Sequence, residues 1–270
     1  MNLLKYMFLA ILQGITEPIP VSSSGHMRLF DAILNNNLNV DLNYEIICNF
    51  GSFLAIFFIF RKDILKLITD FYNYIFIKEK KETSKNGFKY CLYIVISTIP
   101  VIITGLLFKN AIETRLSSMM FLGLAFLLTS ISLLIVRNFK GEKNDFDITL
   151  KDAIIIGLFQ SITIIPGISR SGTVLVACLL CGLKRDSALK YTFILYFPVS
   201  LGSMILGAKD IIQAGNIEPL LLPYFIGLII SGIFTFITYK WMSNWVKKGK
   251  LLYFSIYCFI LAIFVFLFFN

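Results

Sequence analysis

Six stretches of this sequence are apolar for long enough to cross a lipid bilayer: residues 45–60, 90–108, 117–136, 191–208, 220–239 and 251–269. The first is short and extends back toward Leu42. A spanning helix needs about 20 predominantly apolar residues, because the hydrocarbon layer is ~30 Å thick and a helix rises ~1.5 Å per residue. Inside that layer every backbone N–H and C=O must be satisfied by the chain itself, so such stretches fold as helices. Composition agrees, since 57% of the 270 residues are hydrophobic and only 15% are charged. The expected fold class is therefore an all-α integral membrane protein. The formal net charge of +9 does not point to nucleic acid. Its basic residues fall in short connections between apolar runs, where cytoplasmic loops lie against anionic lipid. The five cysteines are odd in number and sit in or beside apolar runs, which argues against a disulfide framework. Cys178 and Cys181 form a CxxC with no partner pair, so they read as small buried side chains. The first apolar run, up to Ile15, has the length of a signal peptide, but Thr16-Glu17-Pro18 follows it instead of a small-residue cleavage site. It is expected to stay in the folded chain.

Two further apolar segments, 3–34 and 150–183, are broken midway by Pro, Gly and Ser. A segment of that kind can enter a bilayer halfway and return, provided its irregular backbone is buried in protein or lines a wet cavity. The two breaks match each other without gaps: QGITEPIPVSSSG from Gln13 lies over QSITIIPGISRSG from Gln160, with Gln, Ile, Thr, Ser, Ser and Gly in register. Each copy precedes three candidate spans. An odd number of crossings inverts the second copy, giving repeat one over 1–140 and repeat two over 147–270 within a single membrane domain. Basic residues cluster in 61–89, just after Val136, in 184–190 and in 240–250, which places those segments in the cytoplasm. Segments 35–45, 109–115 and 209–218 then lie outside, and the two re-entrant hairpins dip in from opposite faces so that their tips meet. Inverted repeats with broken helices are a known way to build a site at the bilayer midplane.

The tips carry chemistry. Gln13 and Glu17 share one helical face at i, i+4 spacing, and a carboxylate inside a membrane needs a cation or an arginine as partner. Pro18 and Pro20 end that helix. Ser22 can cap the next one, in which Ser23 and the sole histidine, His26, stand at i, i+3. In the second copy Thr149 to Asp152 reads as a capping box, and Ser169 can cap a helix whose first turn holds Arg170, Ser171 and Thr173. Arg170 is the counterpart of Ser23. Two helix N-termini and a guanidinium converging on one place make an anion site suited to phosphate. Serines and glycines in broken membrane helices are more often packing residues; it is the coincidence of Glu, Ser, His and Arg on two related tips that points to function. Asn49, Gly51, Ser52, Pro100, Gly105, Pro198 and Gly202 read as packing or kink residues.

The pair QGITEPIPVSSSGH and PGISRSG, with GLFQ before the second motif and IPVIITGLLF in the second span, resembles the undecaprenyl-diphosphatase or bacitracin-resistance family over essentially the whole chain. The resemblance implies a bacterial inner-membrane phosphatase that removes the terminal phosphate of a C55 polyprenyl diphosphate, depends on Mg²⁺ or Ca²⁺, and opens its site to the outer face. By position it implies a metal or acid–base role for Gln13 and Glu17, with Glu17 the stronger. Ser23 looks like the nucleophile, His26 a proton carrier and Arg170 the diphosphate clamp. Ser22, Ser24, Gly25, Ser169, Ser171, Gly172 and Thr173 line the substrate. Three positions depart from the family pattern: Gln13 is the neutral alternative at the first acidic position, Pro18 replaces a common aromatic, and Val174 stands where Thr is usual. Attack by Ser23, by His26 or by a metal-activated water all remain open at this level. A homodimer is compatible with the sequence. The rival from another class is a transporter or lipid flippase using the same midplane residues.

Overall fold

The expected spans are helices, and all are present. The computed structural model describes residues 3–34, 42–116, 118–213 and 221–269, and the side chains of all of these except residues 42, 109–114 and 206–213. Of the connections expected outside the membrane, residues 35–41 and 214–218 lie beyond the described residues, while 109–115 is the helical end of the segment before it. Those residues form ten α-helices: α1 (Leu3–Thr16), α2 (Ser23–Ile33), α3 (Leu42–Phe76), α4 (Lys81–Arg115), α5 (Met119–Val136), α6 (Leu150–Ser161), α7 (Arg170–Leu180), α8 (Arg185–Gln213), α9 (Leu221–Lys247) and α10 (Leu251–Phe268). Six of them, α3, α4, α5, α8, α9 and α10, are long and apolar enough to span a bilayer. The protein is an all-α, multi-pass membrane protein. Large apolar side chains such as Leu106, Leu107, Phe225 and Leu267 are exposed, as a lipid-facing surface requires. All five cysteines are free.

One expectation needs correction. The basic segment 61–89 is not a loop: α3 and α4 each run for 35 residues, about 50 Å at ~1.5 Å per residue, well beyond the hydrocarbon thickness. The extension holds because Phe88 stacks between Phe71 (5.4 Å) and Tyr74 (4.1 Å), with Lys81 over the Tyr74 ring at 5.3 Å. Lysine and arginine are also good helix formers, so a charged stretch continues the helix into water.

The long helices cradle the two broken ones. α1 packs on α9, α6 on α4, and α5 on α10. The first approach is close: a Cβ on Gly14 would stand 2.6 Å from the Ser231 carbonyl oxygen, so only glycine lets the backbones come that near. Between α3, α8 and α9 the core is aromatic, with Tyr239 edge-on to Phe60 and Phe193 at 5.6 and 4.8 Å.

α1 ends where Pro18 and Pro20 withhold backbone donors, and α2 restarts after Ser22, whose Oγ accepts from the Gly25 N–H at 3.1 Å. α6 opens with the expected capping box: the Asp152 N–H donates to Thr149 Oγ1 at 3.3 Å and the Thr149 N–H to Asp152 Oδ2 at 2.9 Å. Its break is turned by Gly167 at φ +92, where a Cβ would strike Leu122. Ser169 then caps α7 through the Gly172 N–H at 3.1 Å. α2 and α7 are 11 residues each, about 16 Å long, half a bilayer core.

Candidate active site

The two turns touch. Pro20 lies 3.3 Å from where a Cβ on Gly172 would stand, and the Ser171 hydroxyl donates to the Ile19 carbonyl at 3.3 Å. At this junction Glu17, the first residue after α1, is buried and collects three donors. Its Oε2 accepts from Ser23 Oγ at 2.6 Å and from Gln13 Nε2 at 2.8 Å; its Oε1 accepts from Arg170 Nη2 at 2.9 Å. Ser23 and Arg170, equivalent positions of the two motifs, are thus held on opposite oxygens of one carboxylate. The ion pair is mostly buried, with side-chain exposures of 28% for Arg170 and 6% for Glu17. In so apolar a setting each charge is tolerable only because the other offsets it.

Side chains from the long helices complete the arrangement. Gln13 also donates through Nε2 to Asn49 Oδ1 of α3 at 2.6 Å. That fixes the amide orientation, since both neighbours only accept there, and leaves Gln13 Oε1 buried with no partner among the described residues. The Arg170 guanidinium lies over the Tyr196 ring of α8, 4.6 Å from its centroid. Asn49 and Tyr196 were not legible as site residues: each is a lone polar group in an apolar helix, and only tertiary packing aims it here. Gly51 and Ser52 keep the packing role read for them. Gly51 lies against Leu228 of α9, and Ser52 accepts from Thr235 Oγ1 at 2.8 Å.

His26 stands differently from its expected place. It was expected to approach Ser23 along α2; instead one ring nitrogen, Nδ1, sits 2.7 Å from the Ser22 carbonyl and the other, Nε2, 2.8 Å from the Tyr257 hydroxyl of α10. A carbonyl only accepts, so Nδ1 carries a proton, and in the neutral ring Nε2 accepts from Tyr257. The ring packs between Phe126 (5.7 Å, edge-on) and Tyr257 (5.6 Å, parallel), and the Ser23 hydroxyl is not among its partners. The peptide it grips is unusual: Ser22, at φ 71, is the only non-glycine residue at positive φ among those described.

The remaining motif residues shape the turns. Ser24 lies 3.4 Å from Ser22, and Ser171 the same distance from Ser169. Gly25 leaves room for Phe126, which a Cβ would meet at 2.9 Å. Thr173 donates its backbone N–H to the Ser169 carbonyl at 2.9 Å, while Val174 is buried in the core. As for a metal, no cluster of three or more His, Cys, Asp or Glu exists among the described residues. A Mg²⁺ that borrows ligands from substrate phosphates needs only one or two protein carboxylates. Glu17 is one such carboxylate once a phosphate draws Arg170 from its Oε1, and Gln13 Oε1 is an unpartnered oxygen on the neighbouring side chain.

The family described as bacitracin resistance protein BacA matches residues 6–264. The chain belongs to this family. Relatives match nearly the whole chain. It is 42% identical over 266 residues to a protein named undecaprenyl-diphosphatase 2 of Bacillus thuringiensis, covering 98% of this chain and 97% of that one. It is 41% identical over 269 residues to the undecaprenyl-diphosphatase of Oceanobacillus iheyensis, covering 99% and 97%, and 40% identical over 267 residues to undecaprenyl-diphosphatase 1 of Bacillus licheniformis, covering 98% of both.

Proposed function

We propose that this chain is a membrane phosphatase that hydrolyses undecaprenyl diphosphate to undecaprenyl phosphate and inorganic phosphate, returning a lipid carrier to cell-wall synthesis. The observation that carries the reading is the Glu17 carboxylate, which holds a serine hydroxyl on one oxygen at 2.6 Å and an arginine on the other at 2.9 Å. A nucleophile on its base, beside a guanidinium free to exchange a carboxylate for a phosphate, is the equipment of phosphoryl transfer. Transport would need no serine bound to a carboxylate, and the relatives carry the name of a diphosphatase.

In this mechanism Ser23 attacks the terminal phosphorus while Glu17 Oε2 accepts its proton. The bond from phosphorus to the bridging oxygen breaks, and Glu17 gives that proton to the departing lipid monophosphate. A water then attacks the phosphoserine, losing a proton to Glu17, which returns it to Ser23 Oγ as inorganic phosphate leaves. Arg170 stabilises the charge on the non-bridging oxygens, and the N-termini of α2 and α7 add their dipoles. His26 holds the Ser22 peptide and with it the direction of Ser23. A divalent cation, Mg²⁺ or Ca²⁺, would be held by Glu17 and Gln13 and would supply further charge neutralisation on the phosphates. The positive-inside rule puts the basic α3–α4 extension in the cytoplasm, and the family resemblance implies the bacterial plasma membrane with the site open outward. Three spans follow each hairpin, α3, α4 and α5 after the first and α8, α9 and α10 after the second, and this odd number supports the inverted arrangement of the hairpins.

The test is release of inorganic phosphate from undecaprenyl diphosphate by the purified full chain. Release that a chelator abolishes and Mg²⁺ or Ca²⁺ restores is expected. Lipid diphosphate that crosses a reconstituted bilayer without losing phosphate would favour the flippase and overturn the reading.

A further inference from the structure

Two hydroxyls beside the site do nothing in the mechanism above. Tyr196 and Ser200, one turn apart on α8, are both more than nine-tenths buried, and neither hydroxyl has a hydrogen-bond partner among the described residues. The Tyr196 hydroxyl lies near both Ser200 and the Glu17 carboxylate, without a hydrogen bond of ordinary geometry to either, while its ring carries the Arg170 guanidinium at 4.6 Å. A buried hydroxyl left unmade costs about as much as a lost hydrogen bond, and here two such groups stand with the orphaned Gln13 Oε1 around a single ion pair. Both hydroxyls can donate. Their register also agrees with the site: Tyr196 stands as far after the cap Ser169 as Asn49, which already reaches Gln13, stands after the cap Ser22.

We propose that Tyr196 and Ser200 form a third wall of the phosphate site, the ring holding the Arg170 guanidinium in plane and the two hydroxyls donating to non-bridging oxygens of the diphosphate. This rests on the phosphatase reading and adds a binding and positioning element from α8 to it. The ring gives the arginine a face to turn on as it passes from Glu17 to phosphate, so its planar fork stays presented to the ligand.

Binding of inorganic pyrophosphate to the purified full chain, followed by calorimetry, and phosphate release from the lipid diphosphate test this together. Tyr196→Phe keeps the ring and loses the hydroxyl; its Kd for pyrophosphate should rise about tenfold, as for a hydrogen bond to a charged group. Tyr196→Leu loses both and should rise several-fold further, and Ser200→Ala should rise about threefold to tenfold. In turnover, KM for the lipid should rise more than kcat falls. Tyr90→Phe removes an equally buried, unpartnered hydroxyl that packs against Phe146 and Tyr191 instead; it should change neither measurement. Tyr196→Phe reads the hydroxyl even where Tyr196→Leu does not fold. Unchanged pyrophosphate affinity in Tyr196→Phe and Ser200→Ala overturns the proposal, as does a wild-type chain that binds no pyrophosphate. Graded loss of binding in a chain that releases no phosphate from the lipid supports the wall and rejects the phosphatase.

Discussion

The turn between α1 and α2 and the turn between α6 and α7 share a frame and differ in what they carry. In each a serine caps the second helix at 3.1 Å and sits 3.4 Å from another serine two residues on. The next residue after the cap is Ser23 in one and Arg170 in the other, and Glu17 of the first turn has Ile164 as its counterpart in the second. The serines repeat because every helix N-terminus has the same unsatisfied N–H groups. On the proposed mechanism the chemistry does not repeat because a phosphate needs unlike partners, a nucleophile with its base and a cation for its oxygens. Dividing them between two turns makes the site a property of the assembled fold: Glu17 is satisfied only when both are in place.

If the labour is divided in this way, the largest effect belongs to the nucleophile. Ser23→Ala should lower kcat by about ten-thousandfold or more, whereas Ser24→Ala, whose hydroxyl meets only Ser22 among the described residues, should cost about threefold or less. Equal losses would erase the distinction between the two serines. Next comes the clamp. Arg170→Ala should lower kcat/KM by about a thousandfold in a chain that still folds, read by size-exclusion and circular dichroism, but melts earlier because Glu17 is left buried without its cation; Arg170→Lys should recover only part, lacking the planar fork. Normal turnover in Arg170→Ala would remove the second turn from the chemistry altogether. A smaller effect tests the asymmetry at His26, whose counterpart is Thr173. Tyr257→Phe removes the hydroxyl bonded to Nε2 at 2.8 Å and should cost about tenfold at most in kcat/KM. A loss as large as that of Arg170→Ala would show that the proton travels through His26 and Tyr257.

Much of this was legible in the chain and some was not, for identifiable reasons. Hydropathy finds a span without knowing its neighbours, so α3, α4, α5, α8, α9 and α10 were all visible. That Glu17 and Arg170 come to one place was legible, because a membrane carboxylate needs a cation or an arginine and the two motifs meet; that they pair directly, with no phosphate between them, was not. The length of α3 and α4 was not, because charge was read as loop when stacking of Phe71, Tyr74 and Phe88 keeps the segment helical. His26 was assigned to Ser23 from helical spacing alone, which places two side chains on neighbouring positions but does not set which way the ring turns; α10 decides that through Tyr257. Asn49 and Tyr196 needed the packing of α3 and α8 to be known first.

The least effect, and the finest test of the shared frame, lies in the caps themselves. Ser22 sits at φ 71 and Ser169 at φ −68, though both cap in the same way. Replacing either by glycine loses the side-chain cap, a few tenths of a kcal/mol, and adds backbone entropy to the unfolded chain, about 0.5–1 kcal/mol. At Ser22 the substitution also relieves a left-handed conformation that costs a side-chain-bearing residue about 1–3 kcal/mol. Ser22→Gly should therefore hold or raise the midpoint of thermal unfolding in detergent, and Ser169→Gly should lower it. Equal losses would mean that the first turn stores no strain. A raised midpoint accompanied by slower phosphate release would show that the strain at Ser22, gripped by His26, is what aims Ser23 at its target.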